Sequence, residues 1–198
     1  MRYKIDISLI IVTLIFALSF ILSFTIKDLD AQQNQKSNNV VGDGLIGANL
    51  QLPDNDSYKS YLKVAGKKSF TISDIAADIV IVQIFSMYCP HCQKDAPNMN
   101  SFFNLLKNSE SYKDRIKLIG IGAGNSSFEV DFFRKTYLVE FPLLDDQDFK
   151  IHKLLGEVRT PYFIGFKRLK DGSLKIFLSE AGGDREPKAF LDQIIKQL

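Results

Sequence analysis

The sequence predicts an α/β domain built around a mixed β-sheet, and three features of the chain indicate it. Segments rich in β-branched residues alternate with segments of helical periodicity. Residues 79–85 read Ile-Val-Ile-Val-Gln-Ile-Phe, an apolar run typical of a central strand covered on both faces. Near the C-terminus, Lys170-Asp171-Gly172-Ser173 separates two strand-like segments and predicts a β-hairpin, so part of the sheet is expected to be antiparallel.

Composition places the chain among ordinary globular proteins. Its 198 residues have room for one domain and an appendage, and 45% hydrophobic with 24% charged residues excludes a collagen-like or wholly disordered chain. The net charge is only +2 and no long basic run is present, so no nucleic-acid partner is expected. Two cysteines are too few for a disulfide scaffold, and with two histidines they speak against a tetrahedral zinc site.

Residues 7–26 contain no charged side chain, and we predict that they form a transmembrane anchor. A run of about 20 residues, rising roughly 1.5 Å per residue, covers a hydrocarbon core of about 30 Å. Arg2 and Lys4 precede the run and favour a cytoplasmic N-terminus at residues 1–6, with everything after the anchor exported. A cleaved signal peptide is the alternative, although its apolar core would usually be shorter. Both interpretations place the domain outside the cytoplasm, on the periplasmic side of the cell membrane.

Residues 27–44 are rich in Gln, Asn and Gly and lack amphipathic periodicity, which is typical of a flexible linker. The folded domain is therefore expected at residues 45–198. Its first predicted unit is an N-terminal β-hairpin, with strands at 58–64 and 69–72 on either side of Ala65-Gly66-Lys67-Lys68.

After the central strand 79–85, the pattern predicts helices that alternate with strands. Phe128, Phe132 and Phe133 recur at helical spacing and are expected in the core, whereas His152 is expected on the surface. The predicted elements are helix 95–107, strand 116–121, helix 128–138, strand 141–144, helix 149–155, strands 162–166 and 174–178, and helix 185–197.

The sequence Cys89-Pro90-His91-Cys92 lies between the buried strand and the next helix, and it predicts redox chemistry. At a helix N-terminus, backbone amides and the helix dipole favour a thiolate at Cys89, ready to attack a disulfide. Pro90 suits the first helical turn, and Cys92 can expel a bound partner by closing the internal disulfide. His91 adds a donor or a positive charge beside the thiolate, which should make the couple more oxidising. Half a zinc site or an inert disulfide are the alternatives, but no second cysteine pair is present.

Residues 85–92, Phe-Ser-Met-Tyr-Cys-Pro-His-Cys, resemble the active-site sequence of the thioredoxin superfamily. They are especially similar to membrane-anchored thiol–disulfide oxidoreductases of the TlpA/ResA type, which share an AhpC/TSA-like redoxin scaffold. The resemblance covers roughly residues 46–198 and implies a thioredoxin-like fold. The Cys-Pro-His-Cys tetrapeptide itself resembles that of DsbA, an exported oxidant, but the chain leaves no room for the large helical insertion of that family. The two resemblances imply opposite directions of electron flow.

The resemblance also implies a substrate-binding loop at Thr160-Pro161, where the superfamily has a cis-proline that faces the two cysteines. A cis bond there would turn the chain and leave the Thr160 backbone free to pair with an extended substrate. An ordinary trans-proline at the start of a strand is the alternative.

Two positions bear on proton transfer. Thioredoxins carry a buried acid six residues before the first cysteine, and here that position is Gln83, which cannot titrate. ResA-like proteins carry a glutamate three residues after the second cysteine, and here the match is Asp95. Asp95 could accept the Cys92 proton as a general base, or it could merely complement the helix dipole.

The expected function is disulfide exchange with protein partners outside the cytoplasm, without a metal or an organic cofactor. A TlpA/ResA-like reductase would act on exported apoproteins, such as apocytochrome c during cytochrome c maturation, and a membrane redox partner would recharge it. A DsbA-like oxidase is the alternative. A peroxiredoxin-like thiol peroxidase is disfavoured because Val82 and Ser86 replace the Pro and Thr of that family's pattern. The two thiols could also serve as soft ligands for copper(I).

Overall fold

The computed structural model describes residues 40–198, so the predicted anchor and the first part of the predicted linker lie outside the described residues. Within residues 40–198, no helix combines the length and the apolar character that a membrane crossing needs. In chain order the elements are α1 Asp43–Ile46, β1 Leu50–Gln51, α2 Asp56–Leu62, β2 Ser69–Phe70, a 3₁₀ turn Ile72–Asp74, β3 Ile79–Phe85, α3 Pro90–Lys107, β4 Ile116–Ala123, α4 Ser127–Tyr137, β5 Leu143–Asp146, α5 Lys150–Leu154, β6 Tyr162–Arg168, β7 Leu174–Ala181 and α6 Pro187–Ile195.

A five-stranded sheet in the order β5-β4-β3-β6-β7 forms the centre of the domain. Strand β3 pairs in parallel with β4 and antiparallel with β6, so the predicted mixed sheet is confirmed. All seven residues of β3 are buried because the strand lies mid-sheet with apolar layers on both faces. Strand β3 therefore delivers the residues that follow Phe85 to the middle of one edge of the domain.

Two apolar clusters fill the two faces of the sheet. One contains the buried side of α3 with residues of α4 and α6, and Phe102 at its centre packs against Phe190 with ring centroids 4.9 Å apart. The other contains Leu45, Leu62 and Ile72 beneath the opposite face. Helix α3 thus rests on a continuous core, which fixes its N-terminus in space.

Removing the Phe102 side chain should be costly, because the ring is fully buried and its loss leaves a cavity in a close-packed core. We expect Phe102→Ala to lower the free energy of unfolding by about 3–5 kcal/mol. Phe128→Ala is the matched control, since that ring is 77% exposed, and it should change the free energy by no more than about 0.5 kcal/mol. Urea denaturation measures both, and equal losses would contradict this assignment of the core.

The predicted N-terminal hairpin is wrong. Residues 56–62 form helix α2, because the Asn55 side chain caps the helix by accepting a hydrogen bond from the Tyr58 amide at 3.2 Å. Tyr58 and Leu62 are buried while Ser60 between them is exposed, which is the four-residue spacing of a helix, since a strand would bury all three on one face. Strand β2 pairs instead with β1, antiparallel, with Leu50 opposite Phe70.

The outward side of α4 also differs from the prediction. Phe133 is buried against Phe85, with centroids 4.8 Å apart, but Phe128 and Phe132 are exposed. The reason is that α4 contacts the sheet through a narrow stripe, with Val130 and Phe133 as its buried residues. Phe128 and Phe132 lie one turn apart on the side that this stripe leaves uncovered.

Two smaller differences concern single segments. Residues 40–44, predicted as the end of the linker, pack on the domain: the Ser179 hydroxyl donates to the Val41 carbonyl at 2.7 Å, and α1 places Leu45 in the core. His152 is half-buried rather than on the surface, because its Nε2 lies 2.8 Å from the Val158 carbonyl oxygen.

Candidate active site

Cys89 is the N-cap residue of α3, at the end of the loop that leaves the buried strand β3. Its Sγ accepts a hydrogen bond from the Cys92 amide at 3.4 Å, and Pro90 occupies the first helical position. Pro90 fits there because the first amides of a helix have no intrahelical acceptor. The sulfur therefore points at the positive end of an 18-residue helix, where a thiolate is stabilised.

The two thiols are reduced in this structure, and their environments differ sharply. Partial burial acts to raise the pKa of Cys89, but hydrogen bonding by the Thr160 side chain, by Cys92 and by the His91 amide lowers that pKa overall. Cys92 is 1% exposed, and its burial, followed by its hydrogen bond with Cys89, raises its pKa to about 12. The lowered pKa prepares Cys89 to attack, whereas Cys92 stays protonated until a base removes its proton.

The Thr160-Pro161 loop faces this pair, as the resemblance implies. The bond between these two residues is cis, and the Cys89 thiol donates to the Thr160 carbonyl oxygen at 3.3 Å. Pro161 is buried and immediately precedes strand β6. His91, by contrast, is exposed at the mouth of the site, beside Pro90.

Asp95 is fully buried one turn after Cys92 on α3. Its Oδ1 accepts hydrogen bonds from the Asp184 amide at 2.6 Å and the Arg185 amide at 3.3 Å, and its Oδ2 accepts one from Gln83 Nε2 at 3.4 Å. Burial raises the pKa of Asp95, although the two amides and the Arg185 charge act in the opposite direction. The Gln83 side chain has no titratable group, but its amide donates the hydrogen bond that holds the Asp95 carboxylate.

Asn125 is a residue of the site that the sequence analysis missed. It is fully buried, and its Oδ1 accepts a hydrogen bond from the Met87 amide at 2.8 Å, while Gln93 Nε2 donates to the Met87 carbonyl at 2.7 Å. These two bonds fix the loop that carries Cys89. The only sequence signal is that Asn125 follows Gly124, whose φ of +65° turns the chain at the end of β4.

Residues 49–177 match the model of the AhpC/TSA family. The chain belongs to the AhpC/TSA family. It is 25% identical over 132 residues to the thiol-disulfide oxidoreductase ResA of Bacillus thuringiensis subsp. konkukian, a match that covers 66% of this chain and 69% of that protein. ResA of Bacillus cereus matches to the same extent.

Two solved structures show the fold. A secreted disulfide oxidoreductase of Mycobacterium tuberculosis, homologous to Escherichia coli DsbE, superposes with a TM-score of 0.55 at 14% identity, covering 78% of this chain and 98% of that one. StoA from Bacillus subtilis superposes with a TM-score of 0.50 at 17% identity, covering 76% and 98%. The fold is thioredoxin-like, and the chain is a thiol–disulfide oxidoreductase.

Proposed function

We propose that this chain is a membrane-anchored, extracytoplasmic protein-disulfide reductase in which Cys89 attacks and Cys92 resolves. The observation that carries the proposal is the unequal placement of the two thiols: Cys89 caps the N-terminus of α3 and its pKa is lowered, whereas Cys92 is buried and its pKa is raised to about 12. Disulfide exchange in either direction uses this asymmetry, because the first thiol must be ionised when it attacks and the second only afterwards. The reducing direction is proposed from the resemblance to proteins of the TlpA/ResA type.

In the first step, the Cys89 thiolate attacks one sulfur of a substrate disulfide. A bond forms between Cys89 Sγ and that sulfur, the substrate disulfide breaks, and the other substrate sulfur leaves as a thiolate. The Thr160 carbonyl, 3.3 Å from Cys89 Sγ, provides a backbone acceptor for an extended substrate segment at this moment. The product is a mixed disulfide.

In the second step, Cys92 loses its proton and attacks Cys89 Sγ. Asp95 is the acceptor we assign to that proton, because it lies one helical turn away and its raised pKa brings its basicity closer to that of a thiol. The Cys89–Cys92 disulfide forms, the mixed disulfide breaks, and the second substrate thiolate leaves and is protonated. Two electrons have passed to the substrate, and a membrane-bound dithiol donor restores Cys89 and Cys92.

The location outside the cytoplasm rests on the N-terminal sequence. Residues 7–26 are long and apolar enough to anchor the chain, with Arg2 and Lys4 on the cytoplasmic side. Exported proteins with oxidised cysteine pairs, apocytochrome c among them, are then the substrate class. Fusion of alkaline phosphatase after Leu198 should be active in a bacterial host, and activity of a β-galactosidase fusion instead would overturn this orientation.

A disulfide oxidase is the second candidate, favoured by the exposed His91 close to Cys89, whose pKa is lowered. The experiment that separates the two equilibrates the full chain, purified in detergent, with glutathione or dithiothreitol buffers. A reductase should show a reduction potential near or below about −270 mV, whereas a value near about −120 mV would make the chain an oxidant. His91→Ala should make the potential more negative by roughly 30 mV or more if the histidine stabilises the thiolate. A pair that never cycles would overturn disulfide exchange altogether.

A further inference from the structure

A short turn between β7 and α6, residues 182–185, touches both halves of the candidate site. Gly182 has a φ of +129° and Asp184 a φ of +64°, so the chain passes through the left-handed region twice within three residues. This backbone turns the amides of Asp184 and Arg185 towards Asp95 on α3. The turn is thus shaped around a carboxylate that lies about ninety residues earlier in the chain.

The same turn contacts the substrate loop. The Gly182 amide donates to the Pro161 carbonyl at 3.0 Å. A Cβ atom placed on Gly183 would lie 3.1 Å from Pro161 Cγ and 3.3 Å from Asp95 Cβ, so a methyl group there fits only if a neighbour gives way by a few tenths of an ångström. Gly183 therefore separates Pro161 from Asp95 by the thickness of one backbone.

Arg185 fixes the far end of the turn. Its guanidinium carbon lies 4.5 Å from the ring centroid of Phe163 and 4.9 Å from that of Phe190, and its Nη1 donates to Glu180 at 2.7 Å. Because this side chain is held between two buried rings, the turn is anchored at Arg185, and a shift at Gly182 is taken up by the residues in between, the Asp184 amide included.

We propose that the turn 182–185 is the positioning element of the resolving step: it holds Asp95 in reach of Cys92 and couples Asp95 to the segment bound at Thr160-Pro161. This inference deepens the proposed function and rests on it. A substrate that shifts the Pro161 loop shifts Gly182 and Gly183 with it, and the two amides carry that displacement to the Asp95 carboxylate. The proton of Cys92 is then transferred when a mixed disulfide is in place.

The charges around Asp95 decide how this step depends on pH. On its own helix Cys92 lies one turn before Asp95, and from the turn 182–185 the Arg185 charge favours the Asp95 carboxylate while the Asp184 charge disfavours it. Lys94 pairs with Asp184 and Glu180 pairs with Arg185, while Gln83 on β3 contributes a neutral donor. The amides of the turn are therefore neutral donors that select the ionised form of Asp95 without adding net charge.

The test uses the full chain and 5,5′-dithiobis(2-nitrobenzoate), whose reaction reports the two steps separately. The first equivalent of thionitrobenzoate is released when Cys89 forms the mixed disulfide, and the second is released when Cys92 attacks it. Gly183→Ala displaces Pro161 or Asp95 by a few tenths of an ångström. We expect it to leave the first phase unchanged and to slow the second by about three- to tenfold, with a shifted pH profile.

Gly47→Ala is the matched control, because its new Cβ would meet no atom within 4 Å, and neither phase should change. When Gly183→Ala is added to the Asp95→Asn variant, the second phase should change by less than about 1.5-fold, since the turn acts through that carboxylate. A normal second phase in Gly183→Ala would overturn the role of the turn and leave the proposed function standing. An effect of Gly183→Ala that is undiminished in the double variant would do the same. Release of no thionitrobenzoate by the unaltered chain would overturn the proposed function itself.

A measurement on the unaltered chain keeps the inference testable if Gly183→Ala does not fold. The amide protons of Asp184 and Arg185 should shift in NMR spectra as Asp95 titrates, and Asp95→Asn should abolish that shift. If the chemical shifts of these amide protons do not change as Asp95 titrates, the turn does not hold the Asp95 carboxylate.

Discussion

Cys92→Ser is expected to turn the chain into a trap that accumulates mixed disulfides with its substrates. The variant keeps Cys89 at the helix N-terminus with its lowered pKa, so the first attack proceeds. The second attack is lost because serine is not a nucleophile towards sulfur at neutral pH. A thiol three residues away acts at an effective concentration of about 10⁵ M or more, so its loss should lengthen the life of the adduct by at least about a hundredfold.

Trapped adducts are measured by non-reducing electrophoresis and mass spectrometry of chains recovered from cells, which also identifies the substrates. With dithiobis(nitrobenzoate), Cys92→Ser should release one equivalent of thionitrobenzoate and then stop. Cys89→Ser is the control and should form no adduct, because the remaining Cys92 is 1% exposed and its burial, the largest cause of its raised pKa, is unchanged. Adducts of equal yield through Cys92 would contradict the assignment of nucleophile and resolving thiol.

Asp95→Asn is expected to slow the Cys92 step by about a hundredfold, the lower range for loss of a general base, while leaving the Cys89 step intact. In the unaltered chain the rate of the second phase should rise as pH passes through the pKa of Asp95, which burial has raised above the ordinary carboxyl value. The variant should lack that rise. Asp145→Asn, at an exposed aspartate of β5, is the matched control and should leave both phases unchanged.

The stability of the Asp95→Asn variant distinguishes a role of Asp95 in proton transfer from a role in holding the fold together. Because the folded-state pKa of Asp95 is raised, the folded chain holds its proton more tightly than the unfolded chain, and stability falls as pH rises from the ordinary carboxyl pKa through the raised one. Asp95→Asn removes that loss, so at neutral pH the variant should be at least as stable as the parent in urea. A variant that is both inactive in the second step and strongly destabilised would indicate a structural role instead.

Local sequence patterns were sufficient wherever the interactions are local. The apolar run 79–85 predicted a buried central strand, and all of its residues are buried. The order of elements from β3 to α6 was predicted because the two- and four-residue periodicities report directly on which face an element buries. The hairpin prediction at 58–64 failed because Tyr58, Tyr61 and Leu62 read equally well as strand residues, and the Asn55 cap decided for a helix.

The exposed side chains of Phe128 and Phe132 show a second limit of prediction from sequence patterns. Helical spacing of Phe128, Phe132 and Phe133 shows which residues share a side of α4, but not how much of that side the sheet can cover. Only the packing of Phe133 against Phe85 settles it, and this leaves the other two rings in solvent.

The sequence by itself determined the fold class and the placement of Cys89 and Cys92 at a strand-to-helix junction, because both depend on residues that are neighbours in the chain. Only the tertiary structure decided what surrounds them. Asn125 reaches Met87 across 38 residues, and Asp184 reaches Asp95 across 89, through backbone amides that carry no side-chain signature. The physical reason is that the chemistry of a buried carboxylate or thiol is set by which groups replace its water, and that depends on how distant segments pack.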